Sequence, residues 1–388
     1  MWVAWIGAES MESSSSKSQT PMNSRNTYMP DHAVSPGDVL DEHREAIGLT
    51  QAELAQRIGF SSKHVNRLLA GLEPVTPETA LKLEAVFGLP ARVWLALEAR
   101  YREHLAREAE QASLTAELPW LDQLPHRALA KLGWIPARLR DVELVRALRA
   151  FFCVGSLNYL PDVWGNVQAA YRKAEAFQSH EWALLAWLAQ GEREAERLSC
   201  RPFDAAGLRA ALPQLKAMSC LPDVEFVEPL VQRCAELGVA LAFVPAPDGA
   251  RVCGATRWLS KDKVLVQLSL RYKTDDQLWF TLFHELGHVL LHGKRSQFID
   301  FEKAHDVNAQ EHEANDFAAS QLVAPDALAQ LVAAADFRIA TVQAFARQQG
   351  VAPGIVAGQL QHRGAVPFRH PLSKLKTSFR WNHETRAA

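Results

Sequence analysis

The chain has 388 residues, which is longer than one hydrophobic core usually extends, and we therefore expect two or three domains. Its formal net charge of -2 excludes a broadly basic protein that coats nucleic acid, so any contact with DNA must come from a local patch. The sequence contains no apolar stretch of about 18 residues, and no membrane span is predicted. Five cysteines without a C-x-x-C pair favour reduced thiols and a cytoplasmic protein.

Composition and periodicity divide the chain into five predicted segments, and the predicted fold is mainly α with a small β-sheet in the C-terminal domain. Apolar residues at helical spacing, separated by short glycine turns, predict five short helices in the second segment. β-branched and aliphatic runs at 239–244 and 263–270 predict strands. The predicted segments are, in order, a disordered stretch at 1–32, a five-helix domain at 33–104, a helical middle region at 105–236, an α+β domain at 237–362 and a basic, solvated tail at 363–388.

The stretch TQAELAQRIGFSSKHVNRLLAG, which begins at Thr50, carries the signals of two helices joined by a tight turn. Thr50 followed by Glu53 forms a capping box, which starts a helix over 51–58. Gly59 provides the backbone freedom for the turn, and Ser61 is placed to cap the next helix. The predicted unit is a helix-turn-helix, whose second helix would enter the major groove of DNA.

The second of these helices combines a buried stripe with an exposed polar edge. Arginine and lysine side chains can bond guanine, and asparagine can bond adenine with two hydrogen bonds. The glutamine that begins the first helix suits a backbone phosphate. An ordinary helical hairpin with a solvated polar face remains the alternative. The residues predicted to contact DNA are Gln51, Ser62, Lys63, Asn66 and Arg67.

Residues 33–101 resemble the helix-turn-helix domain of HigA-type antitoxins, which are XRE-type regulators. The stretches VSPGDVLDEH, GLTQAELAQRIGFSSKHVNRLLAG and VTPETALKLEAVFGLPARVWLALEARY carry the resemblance. It implies a dimeric autorepressor that often neutralises a partner toxin. A homodimer would place two recognition helices about 34 Å apart on a palindromic operator in double-stranded DNA.

The motif FHELGH, in the C-terminal third of the chain, places two histidines four residues apart. On a helix, His284 and His288 lie on one face, so both imidazoles can bind one Zn²⁺. Glu285 follows the first histidine, where it can act as the general base. A third histidine six residues after His288 would define a metzincin, but position 294 is a lysine, and that class is excluded.

A catalytic zinc needs a third protein ligand and one open position for water. The stretch EHEANDFAASQL offers two glutamates on a later helix. Glu313 lies one turn before Phe317, at the edge of the apolar stripe, and is the preferred ligand, while Glu311 remains the alternative. His292 continues the histidine stripe but lies at the helix end, where capping or contact with a ligand is favoured over metal binding.

From 237 to 362 the chain resembles the ImmA/IrrE metallopeptidase family, through WFTLFHELGHVLLHG, EHEANDFAASQLVAP and FARQQGVAPGIVAGQLQH. The resemblance implies a gluzincin-like zinc fold, with His284, His288 and Glu313 as ligands and Glu285 as general base. Relatives in that family cleave repressors, which implies a DNA-binding regulator that cleaves a repressor or itself. The alternative is an antitoxin-like repressor in which the zinc domain is structural or senses metal.

Overall fold

The computed structural model describes residues 34–164, 181–222, 224–292, 298–301 and 309–381. The disorder predicted for 1–32 lies outside these residues, as does the end of the tail after 381. The described residues divide between Ala116 and Glu117 into two compact units. The described residues are mainly helical, with one small sheet in the second unit, and this confirms the predicted fold class.

Five helices form the first unit, in the number that the sequence predicts. Thr50 and Glu53 form the predicted capping box, in which the side chain of each accepts a hydrogen bond from the backbone N–H of the other. Gly59 ends the first helix of the motif in the left-handed conformation (φ 69°), and the Ser61 hydroxyl caps the second. The helices are α1 Pro36–Ala46, α2 Gln51–Ile58, α3 Ser62–Leu69, α4 Pro77–Phe87 and α5 Ala91–Ala116.

A single apolar cluster holds these five helices together. Leu54 and Val65 pack with Leu83 around Trp94, and all four side chains are buried. Burying a side chain of this size contributes about 1.5–3 kcal/mol relative to leaving it exposed. Helix α5 continues past the predicted domain end at 104, because the run to Ala116 is rich in strong helix formers and contains neither glycine nor proline.

The second unit is built on a four-stranded mixed sheet with the order β1-β3-β2-β4. β1 and β3 are parallel, while β2 is antiparallel to both β3 and β4. The sequence predicts β1 and β3 but neither of the other two. The strands are β1 Val239–Phe243, β2 Val252–Ser260, β3 Lys263–Leu268 and β4 Phe298–Phe301.

Ten α-helices accompany this sheet among the described residues. None of them is by itself long and apolar enough to cross a membrane; α12 and α13 meet that length and composition only together, as a pair bent by 73°. The helices are α6 His126–Lys131, α7 Asp141–Phe152, α8 Glu181–Arg197, α9 Ala205–Ala217, α10 Val227–Glu236, α11 Asp275–Leu291, α12 Ala309–Leu322, α13 Pro325–Ala334, α14 Ile339–Gln349 and α15 Pro353–His362.

Helices cover both faces of the sheet. On one face, Gln267 of β3 donates a hydrogen bond of 2.7 Å to the carbonyl of Trp187 in α8, and Gly191 leaves room for the same glutamine. On the other face, α11 lies against Gly254 and Thr256 of β2. The sheet therefore fixes the position of the helix that carries the FHELGH motif.

Helices of the predicted middle region (105–236) pack with the sheet of the predicted C-terminal domain (237–362). Helices α8, α9 and α10 belong to the same compact unit as the sheet. Leu208, Leu215 and Leu230 from α9 and α10 enter the apolar core that α11 also shares. An amphipathic helix must bury its apolar stripe, but its sequence does not say against which element.

Residues 363–381 pack onto this unit instead of forming the predicted solvated tail. Leu372 is fully buried, and the ring of Phe379 lies 5.7 Å from that of Phe226. Lys376 Nζ lies 2.6 Å from Oδ2 of the buried Asp276. At least one basic residue of this segment therefore forms an ion pair inside the fold.

Candidate metal centre and recognition helix

Helix α11 carries both histidines of the FHELGH motif on the face that turns toward α12. His284 and His288 are each 2% exposed, and their Nε2 atoms lie 3.0 Å apart. Gly287, between them, lets α12 come close, because a Cβ at this position would lie 3.3 Å from Ala314 Cα. The two imidazoles therefore meet at the seam between the two helices.

The carboxylate nearest to the two histidines belongs to Glu311, which the sequence left as the alternative ligand. Glu311 Oε2 lies 3.2 Å from His284 Nε2 and 3.4 Å from His288 Nε2. Glu313, the preferred residue, has a side chain that is 61% exposed and contacts His292 instead. The structure thus corrects the third member of the cluster from Glu313 to Glu311.

The spacing of residues along α12 explains this correction. The helix buries Ala314 and Ala318 against α11 and the core. Glu311 precedes them by three and seven residues, so it lies on the same face. Glu313 lies two residues further on, about 200° around the helix from Glu311. The apolar pattern in the sequence places Glu313 on the same face as Phe317, whose ring is only partly buried.

A second layer of contacts holds both imidazole rings. Asn315 Oδ1 lies 3.0 Å from His284 Nδ1, and His292 Nδ1 lies 2.9 Å from His288 Nδ1. Glu313 then contacts the far nitrogen of His292 at 3.2 Å. Contacts of this kind fix the orientation of metal-binding histidines and leave the other ring nitrogen for the ion.

The charge states of the cluster suit a metal ion. Burial by itself would raise the pKa of Glu311, but hydrogen bonds with His284 and His288 offset this effect and hold the pKa at about 2. Burial lowers the pKa of His288, which keeps its imidazole neutral near pH 7. The cluster therefore offers one carboxylate and a neutral imidazole, the protonation states that metal binding requires.

The distances within the cluster also fit a metal ion. Two imidazole nitrogens and one carboxylate oxygen form a donor set of the kind found in catalytic zinc sites, where neighbouring ligand atoms lie about 3.4 Å apart. The three observed separations run from 3.0 to 3.4 Å. His284, His288 and Glu311 can thus hold one ion together.

Glu285, the predicted general base, is fully buried against strand β2. The hydroxyl of Thr256 donates a hydrogen bond of 2.6 Å to Glu285 Oε2. Gly254, two residues earlier on the strand, makes room for the carboxylate, because a Cβ there would clash with Oε1. Strand β2 therefore fixes the orientation of this side chain.

Helix α3 of the first unit buries its apolar stripe and exposes its polar edge. Val65 and Leu68 are buried beneath that edge. Arg67 donates through Nε to Glu73 at 2.9 Å, and half of its side chain stays exposed. The residues predicted to contact DNA are all exposed: Gln51, Ser62, Lys63, Asn66 and Arg67.

Three residues of the candidate centre were missed by the sequence argument. Asn315 follows Glu311 by four residues, so the spacing E-x-x-x-N within EHEAN could have placed both on one helical face. Gly254 and Thr256 carry no comparable signal, because strand β2 itself was not predicted. Their relation to Glu285 depends on the packing of α11 on the sheet.

Known protein families match both the helix-turn-helix region and the region of the candidate metal centre. The family described as "Helix-turn-helix" matches residues 40–94, and the "IrrE N-terminal-like domain" matches residues 260–360. Virulence-associated protein I of Dichelobacter nodosus is 30% identical over 81 residues, which cover 21% of this chain and 75% of that protein. The uncharacterized HTH-type transcriptional regulator YddM of Escherichia coli (strain K12) is 33% identical over 63 residues, covering 16% and 67%.

Solved structures are similar to part of this chain. An addiction module antidote protein of a HigA family from Coxiella burnetii is 26% identical, and the match covers 22% of this chain and 94% of that one with a TM-score of 0.20. The Pseudomonas aeruginosa antitoxin HigA, solved with the higBA promoter, is 24% identical, covering 22% and 95% with a TM-score of 0.21.

The fold and the family matches define a helix-turn-helix DNA-binding regulator that carries an IrrE-like peptidase domain. The chain belongs to the family of helix-turn-helix transcriptional regulators, since it covers two thirds or more of two relatives at 30% identity or above. The helix-turn-helix and the IrrE-like domain that the sequence predicts are both confirmed by these family matches.

Proposed function

We propose that this regulator is also a zinc-dependent endopeptidase, which cleaves a repressor or itself. One observation carries the proposal: Glu311 and the two buried histidines form a compact donor set, and the outer nitrogen of each histidine is held by a further side chain. Their arrangement is the one that a metal centre requires.

The residues around the cluster suit hydrolysis of a peptide bond. Zinc held by His284, His288 and Glu311 would polarise the peptide carbonyl and make water more acidic. Glu285 would take a proton from the attacking water and pass it to the departing amine. Thr256 bonds one of its carboxylate oxygens, so the proton would be carried by the other.

The first unit supplies recognition of double-stranded DNA. We infer that two copies of the chain form a homodimer on a palindromic operator, with α3 of each copy in the major groove. Lys63, Asn66 and Arg67 would read base edges, Ser62 would assist them, and Gln51 would bond a phosphate. The exposure of all five side chains supports this assignment.

A repressor is a more fitting protein partner than a toxin for the proposed activity, because a peptidase needs a protein that it can cut. DNA binding and reduced cysteines agree with a cytoplasmic location, which we propose for this chain. A toxin partner would instead fit the alternative in which zinc only ties α11 to α12. In that alternative, Glu311 and the two histidines would bind zinc only to link these two helices, and their contacts across the helix pair support such a role.

The test compares the zinc-loaded wild-type protein with the Glu285→Gln variant, which keeps all three proposed ligands. Each protein is incubated alone and with the repressors encoded beside its gene, and fragments are identified by mass spectrometry. We expect fragments from the wild type only. Equal cleavage by the variant would refute Glu285 as the base. Absence of cleavage in both, together with a lower melting temperature after zinc removal, would replace the peptidase by the structural alternative.

A further inference from the structure

A cavity lies beside the candidate metal centre, between α11, α12 and α15. Its volume is about 130 Å³. Its wall on α11 begins at Phe280, one helical turn before His284, and the rings of these two residues lie 6.3 Å apart with their planes inclined by 30°. Its far end is formed by Asp276, a further turn away, while Ala319 and Ile355 supply apolar walls. The cavity thus leads away from the point where a peptide bond would be cleaved.

Two buried oxygen atoms in residues that line this cavity have no hydrogen-bond partner among the described residues. They are Asp276 Oδ1 and Gln359 Oε1, in side chains of residues that are 4% and 8% exposed. Lys376 pairs with the other oxygen of Asp276, and the amide nitrogen of Gln359 donates to Ala319 O at 3.0 Å. Unpaired buried acceptors are costly, so this cavity suits a ligand that donates hydrogen bonds.

The charges around the cavity favour a cation. Asp276 carries the one carboxylate among the residues that line the cavity, and it is buried. Burial raises the pKa of the neighbouring Asp275 to about 7, and the charge of Asp276 adds to this effect, while Lys376 opposes it. His362 and Arg363 line the cavity as well, but both are exposed, where water and salt screen their charge. The buried carboxylate therefore acts on a ligand more strongly than the exposed cations do.

We propose that this cavity is the subsite for a lysine or arginine side chain of the peptide substrate, in a residue that flanks the cleaved bond. The proposal rests on the peptidase function proposed above. Lysine and arginine have an apolar stem and a head that only donates hydrogen bonds. The stem would lie along Phe280, and the head would reach Asp276 Oδ1 and Gln359 Oε1. Side chains with an amide or a hydroxyl group fit this site less well, because they would add a hydrogen-bond acceptor to the two unpaired acceptors already there.

The first part of the test measures the cavity without catalysis. Full-length, zinc-loaded Glu285→Gln protein is titrated with n-butylguanidinium and n-pentylammonium, and with 1-pentanol as the uncharged probe of similar length, by NMR. We expect the two cations to bind at least tenfold more tightly than pentanol. Equal binding of all three probes would overturn the proposal.

Three variants locate the binding, each checked for zinc content and melting temperature. Gln359→Met removes one acceptor and should weaken cation binding about tenfold, while Ala319→Leu should abolish it by filling the cavity. Gln361→Met is the matched control, because Gln361 is also buried on the same helix but does not line the cavity. It should bind the cations as the parent protein does. Unchanged binding in Ala319→Leu would place the cations elsewhere and overturn the proposal.

The second part connects the cavity to cleavage. The zinc-loaded wild-type protein is incubated with a library of ten-residue peptides, and the cleaved bonds are identified by mass spectrometry. We expect at least tenfold faster cleavage next to lysine or arginine than next to methionine. Cleavage without this preference would overturn the subsite and leave the peptidase standing. Binding of the cations without cleavage of any peptide would overturn the peptidase, and with it the substrate assigned to the cavity.

Discussion

Replacement of Thr256 by valine removes one hydroxyl group and keeps the shape of the side chain. The hydroxyl donates a hydrogen bond of 2.6 Å to Glu285, and both side chains are buried, at 1% and 0% exposure. A hydrogen bond to a charged group contributes about 1.5–3 kcal/mol. If this bond holds the general base in its working orientation, its loss lowers kcat/KM by about 10- to 150-fold.

The assay measures kcat/KM on a cleaved peptide, together with bound zinc per chain. Thr256→Val should keep its zinc, because Thr256 does not contact the cluster, while its activity falls. Thr256→Ser, which retains the hydroxyl, should restore activity to within about threefold of the wild type. Full activity of the valine variant, or equal losses in the valine and serine variants, would refute the role of this hydroxyl in orienting Glu285.

Three further outcomes follow from the structure. Asn315→Ala should weaken zinc binding about 10- to 100-fold in competition with a chelator, because it frees the ring of His284, whereas the exposed Asp316→Asn should not. Burial, with the charge of Asp276, raises the pKa of Asp275 to about 7, above about 3.9 in an unfolded chain, so this carboxyl lowers stability progressively as the pH rises from about 4 to 7. Asp275→Asn should therefore raise the melting temperature more at pH 8 than at pH 5, and the reverse order would contradict the sign. Arg67→Ala should weaken operator binding by about 1–3 kcal/mol in a gel-shift titration, and unchanged affinity would remove α3 from base reading.

Local signals in the sequence were sufficient for the helix-turn-helix and for the histidine pair. A capping box at Thr50, a left-handed glycine at Gly59 and a cap at Ser61 each act within four residues, and all three are observed. The same is true of His284 and His288, whose common face follows from helical geometry alone. Such features do not depend on where the rest of the chain packs.

The parts that could not be predicted depend on contacts between distant segments. The choice between Glu311 and Glu313 turns on which face of α12 meets α11, and the apolar pattern near Phe317 pointed to the wrong face. Thr256 is 29 residues from Glu285, on a strand that the sequence did not reveal. The packing of the helices before residue 237 could not be predicted either, because their sequences do not identify the sheet on which they pack.

The central claim is a metal centre formed by His284, His288 and Glu311, and bound zinc per chain in protein purified without chelator tests it most directly. Glu311→Gln and Glu313→Gln form a matched pair, since the two residues are of one type and two positions apart on α12. We predict about one zinc in the wild type and in Glu313→Gln, and its loss in Glu311→Gln. Absence of zinc from the wild type, or loss in Glu313→Gln with retention in Glu311→Gln, would contradict the account.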